Sequence, residues 1–388
     1  MNVESSAKLQ SLDSLRGALS VVVVCAHSWQ IFVHPLDRGA LTLGSYVFGL
    51  GARGAVLAFY CLSGYVITLS IAANTRRFGT FKPTEYFLAR LFRIAPPLLA
   101  IIALTFVAEV VLWLTDLYFV RAPGAAREFF ITDPLGQLWA LATLCLSGEL
   151  TGRWLNGPLW SLTYEIRLYV IAGLVASVAL GRKWPWRALA AALLVLYLSS
   201  LRWPDANRSA LDLQTLSFAA FGVGALAHRW RATSNTTLAA VAAAAGALVA
   251  ATGYASRSDH ILSTLDTSQG WLVFQLMVSV LFGVMVILVG RSAPWRVLRA
   301  AGDYSYTLYI AHFPLFLVTY FVLHHLAPSA LRSGWAVVTA LAAIAGALWL
   351  LSSFGRYIER PSLQRHLTMA AFQRLVPSCF RRVWASGS

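Results

Sequence analysis

Ten stretches of about 20 mostly apolar residues run through this chain, and runs of that length are what a helix needs to cross a bilayer. They cover roughly residues 12–33, 53–73, 94–114, 159–180, 187–201, 213–230, 236–254, 271–290, 304–325 and 334–354, the fifth being short. A further apolar piece, 137–147, is too short to cross and reads as re-entrant or interfacial. The fold class expected is all-α: a polytopic membrane protein of about ten transmembrane helices. Composition agrees. Only 12% of residues are charged and 58% are hydrophobic, where a soluble domain carries about 25% charged residues. Mean hydropathy is +0.65.

A formal net charge of +15 would suit a nucleic-acid partner if it formed one patch. Here Lys and Arg lie in short clusters between the apolar runs, the pattern that sets membrane orientation, and no nucleic-acid role is expected. With the N-terminus in the cytoplasm, the inner segments hold more than twice as many Lys and Arg as the outer ones. Both termini are therefore expected inside, provided 137–147 does not cross. The N-terminal run has no clean cleavage site after it and reads as a retained first helix, not a signal peptide. Cys25, Cys61, Cys145 and Cys379 show no metal-ligand spacing and no disulfide framework, so they read as small buried hydrophobes and no metal is expected. No internal repeat and no soluble domain is visible. The Ala-rich 231–255 stretch suits close helix packing. The long outer segment 115–158 is expected to cap the outer mouth.

Ionisable side chains within spans are expensive and mark functional sites by default. Arg16 and His27 stand eleven residues apart on the first apolar run. Eleven helical residues rise about 16 Å through almost three whole turns, so the two share a face, with Asp13 and Ser20 close to the same stripe. Glu165 and Arg167 lie near the start of the fourth run and His312 in the ninth. Glu165 and His27 fall at similar depth, an acid and an imidazole suited to general acid–base work. Glu165 could equally form a structural ion pair with Arg167, and His312 a simple hydrogen bond across helices. Arg90 and Arg93, placed in the loop between the second and third runs, are three apart and share a helical face. Paired guanidinium forks suit phosphate; positive-inside anchoring is the plainer reading.

Six motifs then fall in order along the chain. They are Arg16-x10-His27, Phe59-Tyr60-Cys61-Leu62-Ser63-Gly64-Tyr65-Val66-Ile67-Thr68, Arg90-x-x-Arg93-Ile94-x-Pro96, Pro158-Leu159-Trp160-Ser161-Leu162-x-x-Glu165, Tyr304-Ser305-Tyr306-x-Leu308-Tyr309-x-x-His312-x-Pro314 and Glu359-Arg360-Pro361. Together the sequence resembles the acyltransferase 3 family of integral membrane O-acyltransferases, from about residue 9 to about 362. The resemblance implies a membrane acyltransferase domain over 9–362 and a basic cytoplasmic tail over 363–388, without the esterase-like domain that some members carry. It implies an acyl-CoA donor, acetyl-CoA by default, used from the cytoplasmic side of a bacterial inner membrane. The acceptor it implies is a hydroxyl of a glycan or lipid-linked saccharide, such as lipopolysaccharide or exopolysaccharide; a macrolide or other secondary metabolite is the alternative acceptor. It makes His27 and Arg16 essential and Arg90 and Arg93 the donor-binding pair; depth and spacing add Glu165 to the catalytic candidates and Arg16 to the donor-binding ones. Ser63, Trp160 and His312 become candidates for lining the substrate tunnel. Ser63-Gly64 could offer close backbone approach or an oxyanion donor, or simply pack helices. Arg167 departs from the family pattern and would neutralise Glu165 if the two paired. Glu359 and Arg360 are expected to tie the tail to the inner face. A secondary transporter is the competing class, but it often carries inverted repeats, which this chain lacks.

Overall fold

The computed structural model describes residues 3–37, 42–117, 134–145, 150, 156–201, 213–255, 269–293, 295–360, 362–364 and 366. Among these every regular element is helical. In chain order they are α1 (Val3–Ser28), α2 (Leu43–Phe78), α3 (Pro83–Leu114), α4 (Pro134–Ala142), α5 (Trp160–Leu180), α6 (Trp184–Ser200), α7 (Leu213–Arg229), α8 (Asn235–Ala255), α9 (Gln269–Val289), α10 (Arg296–Gly302), α11 (Ser305–Leu326) and α12 (Ser333–Ile358). Most of the 115–158 segment, Cys379 and nearly all of the 363–388 tail fall outside the described residues.

Six helical stretches are long and apolar enough to cross a membrane: Gln10–Leu36, Val47–Phe78, Pro83–Leu114, Gly157–Leu180, Ser305–Leu326 and Ser333–Ile358. The other four expected runs also form helices, α6 to α9, of 17 to 21 residues. A 17-residue helix rises about 25 Å, at the short end for a crossing. By length and composition six helices are therefore candidate spans, where the hydropathy pattern predicts ten. The piece 137–147 is mostly α4 and its following turn; nine helical residues rise about 14 Å and do not cross.

Two helices reach well beyond their apolar windows. α2 has 36 residues and α3 has 32, so each is longer than the roughly 30 Å hydrocarbon core. Only residues 79–82 separate them. Arg90 and Arg93 are consequently not in a loop, as hydropathy suggested. They sit two and nearly three turns inside α3, which starts with Pro83 at its first turn, where a missing N–H costs nothing. The helix continues through Pro96-Pro97.

α1 is the hub, packing against α2, α10, α11 and α12. One core lies between α1 with the π-helical turn that follows it (Trp29–Val33), α3, α11 and α12, built from Val24, Ile31, Phe32, Leu98, Ile101, Leu308, Phe316, Leu317 and Ala347. A second lies between α1, α2 and α9, around Leu12, Leu19, Val23, Leu62, Tyr65 and Ile287. Two helix pairs touch backbone to backbone. On α2 and α7, a Cβ at Gly64 would collide with Phe221 O and one at Gly224 with Cys61 O. On α1 and α10, a Cβ at Gly17 would collide with Leu298 O and one at Gly302 with Asp13 O. Such close approach is how membrane helices gain packing without a hydrophobic driving force, and it gives Gly64 the packing role its position allowed. The seven-residue α10, invisible to hydropathy, thereby braces α1 beside Arg16.

Candidate active site

The five helices α1, α2, α3, α5 and α11 enclose one narrow cleft, with about 60 Å3 open to water-sized molecules. Its longest wall is α2, where Val56, Phe59, Tyr60, Ser63, Val66 and Ile67 line it. That spacing keeps to one face of the helix over eleven residues, about 16 Å. α3 contributes Arg90, Arg93 and Ile94; α5 contributes Ser161, Glu165 and Tyr169, each four residues from the next. Ser305, Tyr306 and Tyr309 come from α11, and Arg16 comes from α1. Five expected site residues, Arg16, Ser63, Arg90, Arg93 and Glu165, are thus brought together.

Cations outnumber anions on this lining. Three guanidinium groups face the cleft and Glu165 is the carboxylate among them. Arg16 donates to Asp13 Oδ1 at 2.7 Å, a contact at the exposed edge of the site. Arg90 donates to Ser70 Oγ at 2.7 Å and lies over the rings of Tyr86 and Tyr169 at 5.7 and 5.8 Å. Its Nε is buried and makes no hydrogen bond among the described residues. Buried charge without full pairing is costly, so this lining favours an anion with several acceptor oxygens.

Glu165 is held on both sides. Ser63 Oγ donates to its Oε1 at 3.1 Å, and Tyr169, one turn along α5, donates its hydroxyl to the same oxygen. Arg167 does not pair with it. Residues two apart point to opposite sides of a helix, and Arg167 Nε instead donates to Cys145 O at 3.1 Å, with its guanidinium over the Tyr164 ring. The neutralisation expected from Arg167 is therefore absent. Glu165 also keeps company with the arginines instead of meeting His27.

His27 stands past the far end of the cleft. Its Nδ1 is 2.8 Å from His312 Nε2, with the rings nearly parallel at 10° and Phe313 edge-on to it. His312 is wholly buried, and its Nδ1 is 2.8 Å from Leu308 O. Tyr309 links the cleft to the histidines: it lines the cleft, and its ring is 6.3 Å from that of His312. Its hydroxyl is 2.6 Å from Ser161 Oγ. Ser161 Oγ gives its proton to Pro158 O at 2.9 Å, so Tyr309 is the donor in that pair. Ser20, between Arg16 and His27 on α1, has its hydroxyl oxygen 3.0 Å from Arg16 O and 3.2 Å from Ser305 O; the stripe faces α11. Trp160 is outside the cleft lining, with its ring 5.9 Å from that of Tyr164.

Sequence reading gave no role to Tyr169, Ser70, Tyr309 or Ser161. Tyr169 could have been found: it is four residues from Glu165, the spacing at which helical side chains meet. Ser70 could not, because it reaches Arg90 from another helix. Glu359, expected to tie the tail to the inner face, instead joins two helices: its Oε1 accepts from Thr307 N–H at 2.7 Å, capping the first turn of α11 from the end of α12.

Comparison with curated proteins gives no match, and neither does comparison with solved structures. The family comparison is positive: the acyltransferase 3 model, an acyltransferase domain, matches residues 9–352. With its long apolar helices, the chain belongs to the acyltransferase 3 family and is a multi-pass membrane acyltransferase.

Proposed function

We propose that this protein moves an acyl group, acetyl by default, from cytoplasmic acyl-CoA to a hydroxyl of a cell-surface glycan or exopolysaccharide precursor. In this reading ten helices cross a bacterial inner membrane and both termini face the cytoplasm. One observation carries it: Arg16, Arg90 and Arg93 converge in a buried cleft whose far end abuts a paired histidine. The arginines would hold the donor's phosphates. The lining of α2, about 16 Å long, suits a thin extended arm that brings a thioester toward His27. A lipid-linked saccharide would present its hydroxyl from the other side.

His27 would act as the base. It removes the acceptor's hydroxyl proton as that oxygen bonds to the thioester carbonyl carbon. The C–S bond then breaks, and the leaving thiolate takes the proton back from the imidazolium. The products are an ester and free coenzyme A. The same products form in two steps if His27 first carries the acyl group as an acyl-imidazole; ping-pong kinetics would mark that route.

The test is acyl transfer from labelled acetyl-CoA by purified protein in lipid, with and without glycan acceptor. Wild-type turnover by His27→Ala would overturn the proposal. Mass spectrometry of the surface glycan from cells with and without the protein identifies the acceptor.

A further inference from the structure

The chain of hydrogen bonds behind His27 fixes more than its position. Leu308 O is an acceptor with no proton to give, so His312 Nδ1, 2.8 Å away, carries a hydrogen. His312 is wholly buried, with Phe316 edge-on at 5.8 Å, a setting that disfavours an imidazolium. A neutral ring protonated on Nδ1 presents a lone pair on Nε2. Across the 2.8 Å contact, His27 Nδ1 must then be the donor. That leaves the lone pair of a neutral His27 on Nε2.

We infer that His312 is a positioning residue that locks His27 in the Nδ1–H tautomer, so that Nε2 is the nitrogen that takes the proton or the acyl group. When Nε2 is loaded, the Nδ1–H bond to His312 becomes charge-assisted and strengthens. A neutral imidazole backed by a main-chain carbonyl thus does the orienting that a carboxylate does in a Ser-His-Asp triad. The near-parallel rings, 5.1 Å apart, fix the plane of His27 as well as its tautomer. This inference rests on the acyl-transfer reading for its purpose, but its geometry can be tested without turnover.

The experiment is 15N NMR of imidazole-labelled full-length protein in lipid nanodiscs, with His27 assigned by its loss in His27→Asn. Wild type should show His27 with a protonated Nδ1 and an unprotonated Nε2. His312→Leu should shift it toward the Nε2–H form that isolated imidazoles prefer. His312→Gln should retain the Nδ1–H form, since its amide can accept from His27 and donate to Leu308 O. In turnover, kcat should fall about tenfold to a hundredfold in His312→Leu with KM for acetyl-CoA unchanged, and recover most of that in His312→Gln. A wild-type His27 protonated on Nε2 overturns the inference, as does equal loss in both variants with an unchanged tautomer. If His312→Leu does not fold, the wild-type and His312→Gln spectra still decide. Absence of acyl transfer by wild type would instead overturn the proposed function and leave the tautomer assignment standing.

Discussion

Tyr169 and Ser63 reach the same oxygen of Glu165 from two different helices, and this fixes a carboxylate in the middle of an arginine-lined cleft. With both donors on Oε1, Glu165 is set up as a resident counter-charge for Arg16, Arg90 and Arg93. Glu165→Gln should therefore tighten coenzyme A binding about threefold to tenfold, the scale of one charge interaction at partial burial. Calorimetric titration with coenzyme A checks this. Unchanged affinity together with abolished turnover would instead make Glu165 the base.

Arg90 and Arg93 share a face of α3 and open into the cleft. Charge-assisted hydrogen bonds contribute about 1.5–3 kcal/mol each, so Arg93→Ala should raise KM for the acyl donor about tenfold to a hundredfold with a smaller effect on kcat. The loss should be larger for acyl-CoA than for an acyl-pantetheine lacking the nucleotide. Equal losses with both donors would remove phosphate binding from Arg93.

The α2–α7 contact admits no side chain. Gly64→Ala and Gly224→Ala each push a methyl into a facing carbonyl and should destabilise the protein by about 1–3 kcal/mol. At Gly246 on α8 an added methyl would meet nothing within 4 Å; alanine there should be neutral or slightly stabilising. Thermal unfolding in detergent, followed by cysteine-reactive dye, separates the three. Equal shifts for all would disprove the contact.

Glu359 lies just past the last span, and burial raises its carboxyl pKa, against the Thr307 N–H, Arg93 and Arg16, which lower it. With the folded pKa above the unfolded one, this group's stabilising contribution is full below the ordinary carboxylate range and is lost as pH rises through the folded value. Glu359→Gln keeps an acceptor for Thr307 and should flatten that part of the stability-against-pH curve. Glu359→Ala also strips the α11 cap and should cost about 1 kcal/mol. A Glu359→Gln curve that parallels wild type over the acid range would contradict the assignment.

The hydropathy pattern located helices best where a span and its apolar window coincide. The run 159–180 became Trp160–Leu180, and 304–325 became Ser305–Leu326. It failed for α2 and α3, because Arg76, Arg77, Arg90 and Arg93 lower hydropathy whether they face water or a protein cleft. Only the fold tells these apart. The cationic half of the site was legible as paired arginines and a helical stripe. Its other half was not: α2 reads as plainly apolar, and the proximity of Ser63 to Glu165 or of His27 to His312 exists only once separate helices pack.

Tyr309 has a further consequence in the proposed arrangement. An enzyme that draws one substrate from each face of an energised membrane must not hold an open file of water between them, or protons would run down the gradient. The Tyr309 ring, pinned by Ser161, lines the cleft beside the histidines and would help to close such a file. In that arrangement the protein would be an insulator as well as a meeting place.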